Sequence, residues 1–183
     1  MFNIEDRIAL MKAIPVQGRC WGIESLSDSL IVGFQSPTPR VEILSEEGDV
    51  LNTSNTSGGQ LFVWPRYITV DKTTDTILVS DYSMGTVYML DDGLQLLQDF
   101  HLPSGEPLGL AAVGGGQVLV LVADVPTAPL QLLDLTTGRG RKILGRKEGL
   151  ALSISLVYNE ARKQFCVGGS GGEVKVYTVR VKV

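Results

Sequence analysis

His101, in the segment LQDFHLPSG, is the only histidine in this 183-residue chain. Nucleophilic or metal-assisted catalysis needs an imidazole with a second ligand, or a base oriented by an acid. A lone histidine supplies neither, so His101 reads as a surface or edge residue. Ser170 in GGSGG, residues 168–172, matches the letters G-x-S-x-G, but the elbow of a hydrolase leads from a strand into a helix, and the strand-like VKVY follows here instead. Asp91-Asp92-Gly93 has the chemistry of a hairpin turn, since Asp-Gly supplies positive φ. The glycine clusters at Gly114–Gly116 and Gly168–Gly172 are not followed by a helix, so they cannot cradle a phosphate and read as turns. The chain therefore shows no catalytic set, no metal-ligating set and no cofactor motif.

Charge offers a different chemistry. Arg139, Arg141, Lys142, Arg146 and Lys147 place five cations within nine residues of a chain whose net charge is −4. Such a run can grip the phosphates of RNA, or it can guard an exposed strand edge against aggregation. Which role applies depends on where the surrounding elements put it.

Those elements repeat. Aligning Val41 of VEIL, Val87 of VYML, Leu130 of LQLL and Val174 of VKVY gives spacings of 46, 43 and 44 residues. Each of these runs is preceded by two others: WGIESL and SLIVGF, RYITVD and TILVSD, LGLAAV and QVLVLV, ISLVYN and QFCVGG. A fourth run follows in the first three units: VLNTS, LQLLQDFHL and RKILG. The apolar residues alternate or run in fours and fives between Gly, Asp, Ser and Pro, which is the pattern of strands. One small antiparallel sheet cannot cover both its faces, whereas sheets stacked about an axis cover each other. A period near 45 residues thus predicts an all-β fold, a β-propeller of four four-stranded blades forming one domain over residues 1–183.

The last unit ends at Val183 without its outer strand, while RIALMKAIP, residues 7–15, stands unclaimed before the first unit. Pairing of residues 7–15 with 174–179 would close the ring. A helical turn is the competing reading of that segment. Four units could also be part of a larger ring, or copies could associate to complete one.

In a propeller the loops joining second to third strands, and fourth strands to the next blade, converge on one face. These loops carry Arg19, Trp21, Arg40, Arg66, Tyr67, Tyr82, Met84 and Asp124. Trp, Tyr and Arg anchor interfaces because they bury much area at low entropic cost. This face is the expected site for a protein or peptide ligand. Trp21 and Trp64 can equally pack between blades. The basic run falls on the outer strand of the third blade, on the rim, and makes RNA binding the alternative.

The wording of the second unit, PRYITVDKTTDTILVSDYSMGTVYML, resembles the NHL repeat through Pro65, Ile68, Val70, Asp71, Ile77, Val79, Asp81, Val87 and Tyr88. The third unit matches through Pro107, Leu108, Gly109, Leu110, Val118, Val120 and Asp124. NHL propellers usually have more blades than four. The second unit is similar to the C-terminal propellers of tripartite-motif ubiquitin ligases. That resemblance implies a non-catalytic targeting module, with ubiquitin transfer residing in a separate RING domain. It also implies RNA binding as a family trait.

Hydrophobic residues make up 44% and charged residues 20% of the chain, the balance of a folded soluble protein. Cys20 and Cys166 are too few for a disulfide framework and read as buried free thiols of a reducing compartment. With no signal-peptide pattern and no apolar run of spanning length, the expected location is cytoplasmic, away from membranes.

Overall fold

Short apolar runs punctuated by aspartate turns become fifteen strands in the computed structural model, which describes residues 12–54, 59–124, 129–150, 153–169 and 172–179. Blade one holds β1 (Arg19–Leu26), β2 (Ser29–Ser36), β3 (Arg40–Ser45) and β4 (Val50–Thr53). Blade two holds β5 (Pro65–Asp71), β6 (Thr76–Asp81), β7 (Thr86–Leu90) and β8 (Leu96–His101). Blade three holds β9 (Glu106–Gly114), β10 (Gln117–Ala123), β11 (Leu130–Asp134) and β12 (Arg139–Leu144). Blade four holds β13 (Ser153–Asn159), β14 (Gln164–Gly169) and β15 (Val174–Thr178), after a 3-10 turn at Arg146–Glu148. Every sheet is an antiparallel meander in sequence order. The fold is all-β, a four-blade β-propeller, and no helix among the described residues is long and apolar enough to cross a membrane.

The inner strands β1, β5, β9 and β13 line a central cavity of about 520 Å³. Core clusters fill the seams between blades. Ile31, Val41 and Ile43 of blade one pack with Ile68, Val70, Ile77 and Val79 of blade two. Leu78 and Val87 turn the other way and pack with Leu110, Val118 and Val120 of blade three. Strand β6 is therefore buried at all six positions, because alternate side chains enter two different seams. Leu108, Leu119 and Leu121 then meet Phe165 and Val167 of blade four.

Two seams close over glycine. A Cβ on Gly22 would lie 2.9 Å from the Arg66 carbonyl, and one on Gly109 would lie 2.8 Å from the Leu156 amide nitrogen. These atoms are backbone of the neighbouring blade and cannot swing aside. Gly109→Ala is expected to lose about 1–3 kcal/mol of unfolding free energy by forcing blades three and four apart. Urea denaturation measures this, and an unchanged midpoint would mean that the seam is looser than the distances state.

Aspartates shape the turns. Asp134 accepts from the amides of Thr136 (3.0 Å) and Thr137 (2.8 Å). The Thr137 bonds, backbone first, hold its carboxyl below the usual carboxylate value. Asp71 accepts from Thr73 in the same way. These are Asx turns, which stop a strand and reverse the chain.

At the junction of blade four with blade one, the described part of the expected closing strand departs from the sequence expectation. Residues 7–11 lie outside the described residues. Residues 12–15 form no strand, and the described sheet of blade four has three strands. Lys12 instead donates to the Glu46 carbonyl (2.8 Å), and Ile14 lies against Gly48, so the described part of the expected closing strand runs beside blade one. The lysine finds a free turn carbonyl there, and the isoleucine a gap that glycine leaves open. Inner strands pack in succession, β1 on β5, β5 on β9 and β9 on β13, but no contact of comparable extent joins β13 to β1 among the described residues. The cysteines are free; Cys166 is half-buried but Cys20 is exposed rather than buried, because it stands at this unpacked end.

Candidate functional site

Each inner strand begins with an irregular step. The register of β1 on β2 jumps between Cys20 and Gly22, leaving Trp21 unpaired, and that of β5 on β6 jumps between Pro65 and Tyr67, leaving Arg66 unpaired. In β13 the residue so displaced is Ile154. A bulge turns one side chain out of the alternation and re-aims it. Trp21 and Arg66 thus occupy equivalent positions on neighbouring blades, and both project at the end where the loops converge.

Arg66 sits among four rings. Its Cζ lies 5.0 Å from the centroid of Tyr82, 5.5 Å from Trp64, 5.6 Å from Trp21 and 5.7 Å from Tyr67. Trp64 meets Trp21 edge-on at 5.6 Å and Tyr82 edge-on at 5.2 Å. The Trp21 indole donates to Gln35 Oε1 (3.0 Å), which fixes the ring over the guanidinium. Trp21, Met84 and Val63 are exposed and border the cluster with apolar surface. Ring faces attract a cation through their quadrupole without neutralising it. Among the described residues no carboxylate lies within ion-pair distance of Arg66. The arrangement offers a held positive charge in an apolar frame, suited to an incoming acid flanked by apolar side chains.

Asp81 builds the floor of this cluster. Wholly buried at the end of β6, its carboxylate accepts from the amides of Val63 (2.6 Å), Trp64 (3.0 Å), Ser83 (3.1 Å) and Met84 (3.1 Å). One side chain therefore ties the loop entering β5 to the loop leaving β6.

The structure brings together Trp21, Arg66, Tyr67, Tyr82 and Met84 of the expected face. Arg40 is engaged elsewhere: its guanidinium bonds Glu42 (2.6 Å) and the carbonyls of Gln17 (2.7 Å) and Thr38 (3.1 Å), and lies 4.2 Å over Phe34. Arg19 is exposed at the start of β1, and Asp124 stands at the exit of β10 in blade three, accepting from Ser104 Oγ (3.4 Å). The basic residues lie apart from this cluster. Arg139, Arg141 and Lys142 are exposed on the edge strand β12, and Arg146 and Lys147 are exposed in the 3-10 turn. His101 is likewise exposed, bonded to Thr86 Oγ1 (2.7 Å) and Asp99 (3.1 Å).

Trp64 stood in the expected loops as a residue that could equally pack between blades, and Asp81 stood there only as the start of a loop, not as a site residue. Asp81 ends TILVSD as Asp71 ends YITVD, and an aspartate closing a buried strand ahead of a short turn was the available signal. The bulges had none, since one extra residue leaves the apolar pattern on either side intact. No group of three or more His, Cys, Asp or Glu among the described residues could hold a metal ion. A larger cavity of about 700 Å³ lies at the opposite end, between blades three and four, with Leu132, Arg141, Phe165 and Tyr177 among its walls.

No family model matches the chain, and no curated protein matches it. Solved structures do. A computationally designed protein, Ika4, aligns at 15% identity and TM-score 0.65 over 92% of this chain and 96% of its own. A chain of a nidogen/laminin complex aligns at 15% identity and TM-score 0.69 over 87% of this chain and 65% of its own. The β-propeller domain of Cps50 (Swd1) from Myceliophteria thermophila aligns at 14% identity and TM-score 0.63 over 88% of this chain and 51% of its own. The chain thus spans nearly all of the designed protein but only half to two-thirds of these two natural ones. At such identities the likeness is one of fold: the topology gives four blades, and the comparison with the Cps50 (Swd1) domain agrees that the fold is a β-propeller.

Proposed function

We propose that the chain is a non-catalytic recognition module that holds a segment of another protein on the bulge end of blades one and two. The observation that carries this is Arg66, caged by four rings and facing no acid of its own among the described residues. Propellers commonly bind proteins at such loop faces. The chemistry favours a peptide that presents Asp or Glu beside an aliphatic or aromatic residue. NHL-like wording in the second unit extends the reading to a targeting role, in which a RING domain carried elsewhere modifies what this module holds.

A displayed library of random short peptides, selected on the wild-type chain, tests the proposal. Selected peptides are expected to carry an acid, and Arg66→Ala to weaken them about 30-fold, or about 2 kcal/mol, as for an interface hot spot. Both tryptophans of the chain lie in the cluster, so their emission should shift on binding. Peptides without acids that bind Arg66→Ala as well as wild type would sink the proposal.

RNA binding is the second reading, supported by the exposed cations of β12 and the turn that follows, which form no ion pair among the described residues. It requires affinity for single-stranded RNA that falls steeply with salt and is lost on reversing Arg139, Arg141 and Lys142.

A further inference from the structure

The two ends of the blade series expose side chains that every internal seam buries. Val41, Val87 and Leu130 stand first or second in the third strands of blades one to three, paired with Gly33, Ser80 and Leu121, and each is 0% exposed. Val174 occupies the same place in blade four, paired with Gly168, and is 71% exposed. Around it on that face lie Val157 and Val176, also exposed, and Cys166 between them. The opposite end shows the converse. Ile68 and Leu110, paired with Val79 and Val120, are 7% and 5% exposed because the preceding blade covers them. Ile23, paired with Val32, is their equivalent in blade one and is 64% exposed. Residues 14–18 cover only the outer part of that end, where Ile14 meets Gly48 and Gly18 meets Phe34.

We infer that two copies of this chain join head to tail, the open face of blade four in each packing on the open face of blade one in the other, to complete one ring around a shared axis. The occupant of blade four must present the back of a blade, and the occupant of blade one must present the front of a blade. A second copy offers both surfaces at once, and two such contacts close on themselves with twofold symmetry. The seam would repeat a contact the chain already makes three times. At the first internal seam Gly33 lies against Pro65 and Ile68, and its counterpart Gly168 would lie against Cys20 and Ile23 of the second copy. Exposed apolar surface of this extent on adjacent strands marks an interface. The inference does not depend on the peptide-binding reading, since it uses neither Arg66 nor its rings.

Sedimentation equilibrium and a short bismaleimide test it. Wild-type chain at micromolar concentration is expected at twice the 19.7 kDa chain mass. The bismaleimide is expected to link Cys20 of one copy to Cys166 of another, giving a covalent dimer that Cys20→Ser and Cys166→Ser each abolish. Val176→Glu and Ile23→Glu, both at exposed positions, should each weaken association 100-fold or more with an unchanged circular dichroism spectrum. Mixing the two variants should restore a dimer, because one seam in the pair is then intact. A monomeric wild type, whether its remaining blades come from a longer chain or it closes on itself with a Cys20–Cys166 link inside one chain, would overturn the inference. So would a dimer that Ile23→Glu leaves untouched, since two blade-four faces meeting each other would not involve blade one.

Discussion

Asp81→Ala is expected to lower the unfolding free energy by about 3–5 kcal/mol, as measured by urea denaturation followed through tryptophan emission. The reason is a count of donors. Four backbone amides, those of Val63, Trp64, Ser83 and Met84, end on this one buried carboxylate. Alanine leaves them facing a methyl group, in a place where β6 is covered on both sides. A buried donor without an acceptor costs about 1–3 kcal/mol, and water entering through the loops recovers part of the total. Asp81→Asn should lose less, about 2 kcal/mol, since one oxygen still accepts while the new NH₂ faces amides. The loops that Asp81 ties carry Trp64, Tyr82 and Met84, so binding at Arg66 should weaken along with stability. A change below about 1 kcal/mol in Asp81→Ala would show that other contacts hold these loops.

The second large effect concerns Arg40. Its bond to Glu42 joins two side chains that are both nearly buried on the outer part of blade one. Arg40→Met keeps the packing on Phe34 but leaves the Glu42 carboxylate buried without a cation, and is expected to lose about 3–5 kcal/mol. The double variant Arg40→Met/Glu42→Leu should recover most of that loss, because an apolar pair of similar size needs no desolvation of charge. Measured as a double-mutant cycle, the coupling should be at least the part of the loss that the double variant recovers, about 2–4 kcal/mol. Equal losses in the single and double variants would mean that Arg40 acts through the Gln17 and Thr38 carbonyls rather than through Glu42.

The two examples mark the limits of what the residues alone disclosed. Arg40 was legible as an interface type at a loop end, but not as a residue spent on its own blade. The acid that claims it stands two positions away, and alternation in an extended strand puts both on one face only once the register is known. Arg66 shows the converse. Its type and loop position made it a candidate, while its cage depends on a bulge that no pattern announces. The strands were legible because each needs alternating or continuous apolar residues between turn formers, and the four units repeat that need. The junction of first and last blades was not. A run such as RIALMKAIP states that it wants cover but not which neighbour supplies it, and Lys12 and Ile14 turn to blade one.

Burial is also graded along the blades, and that gradient sets the order in which the native state opens. Amides of β6, wrapped by seams on both sides, can exchange with solvent deuterium only when the whole molecule unfolds. Those of β15, with every other side chain in water, belong to a unit that detaches alone. Blade four is therefore the weakest foldon of the chain, and whatever seats itself there would raise protection selectively, from the C-terminal edge inward.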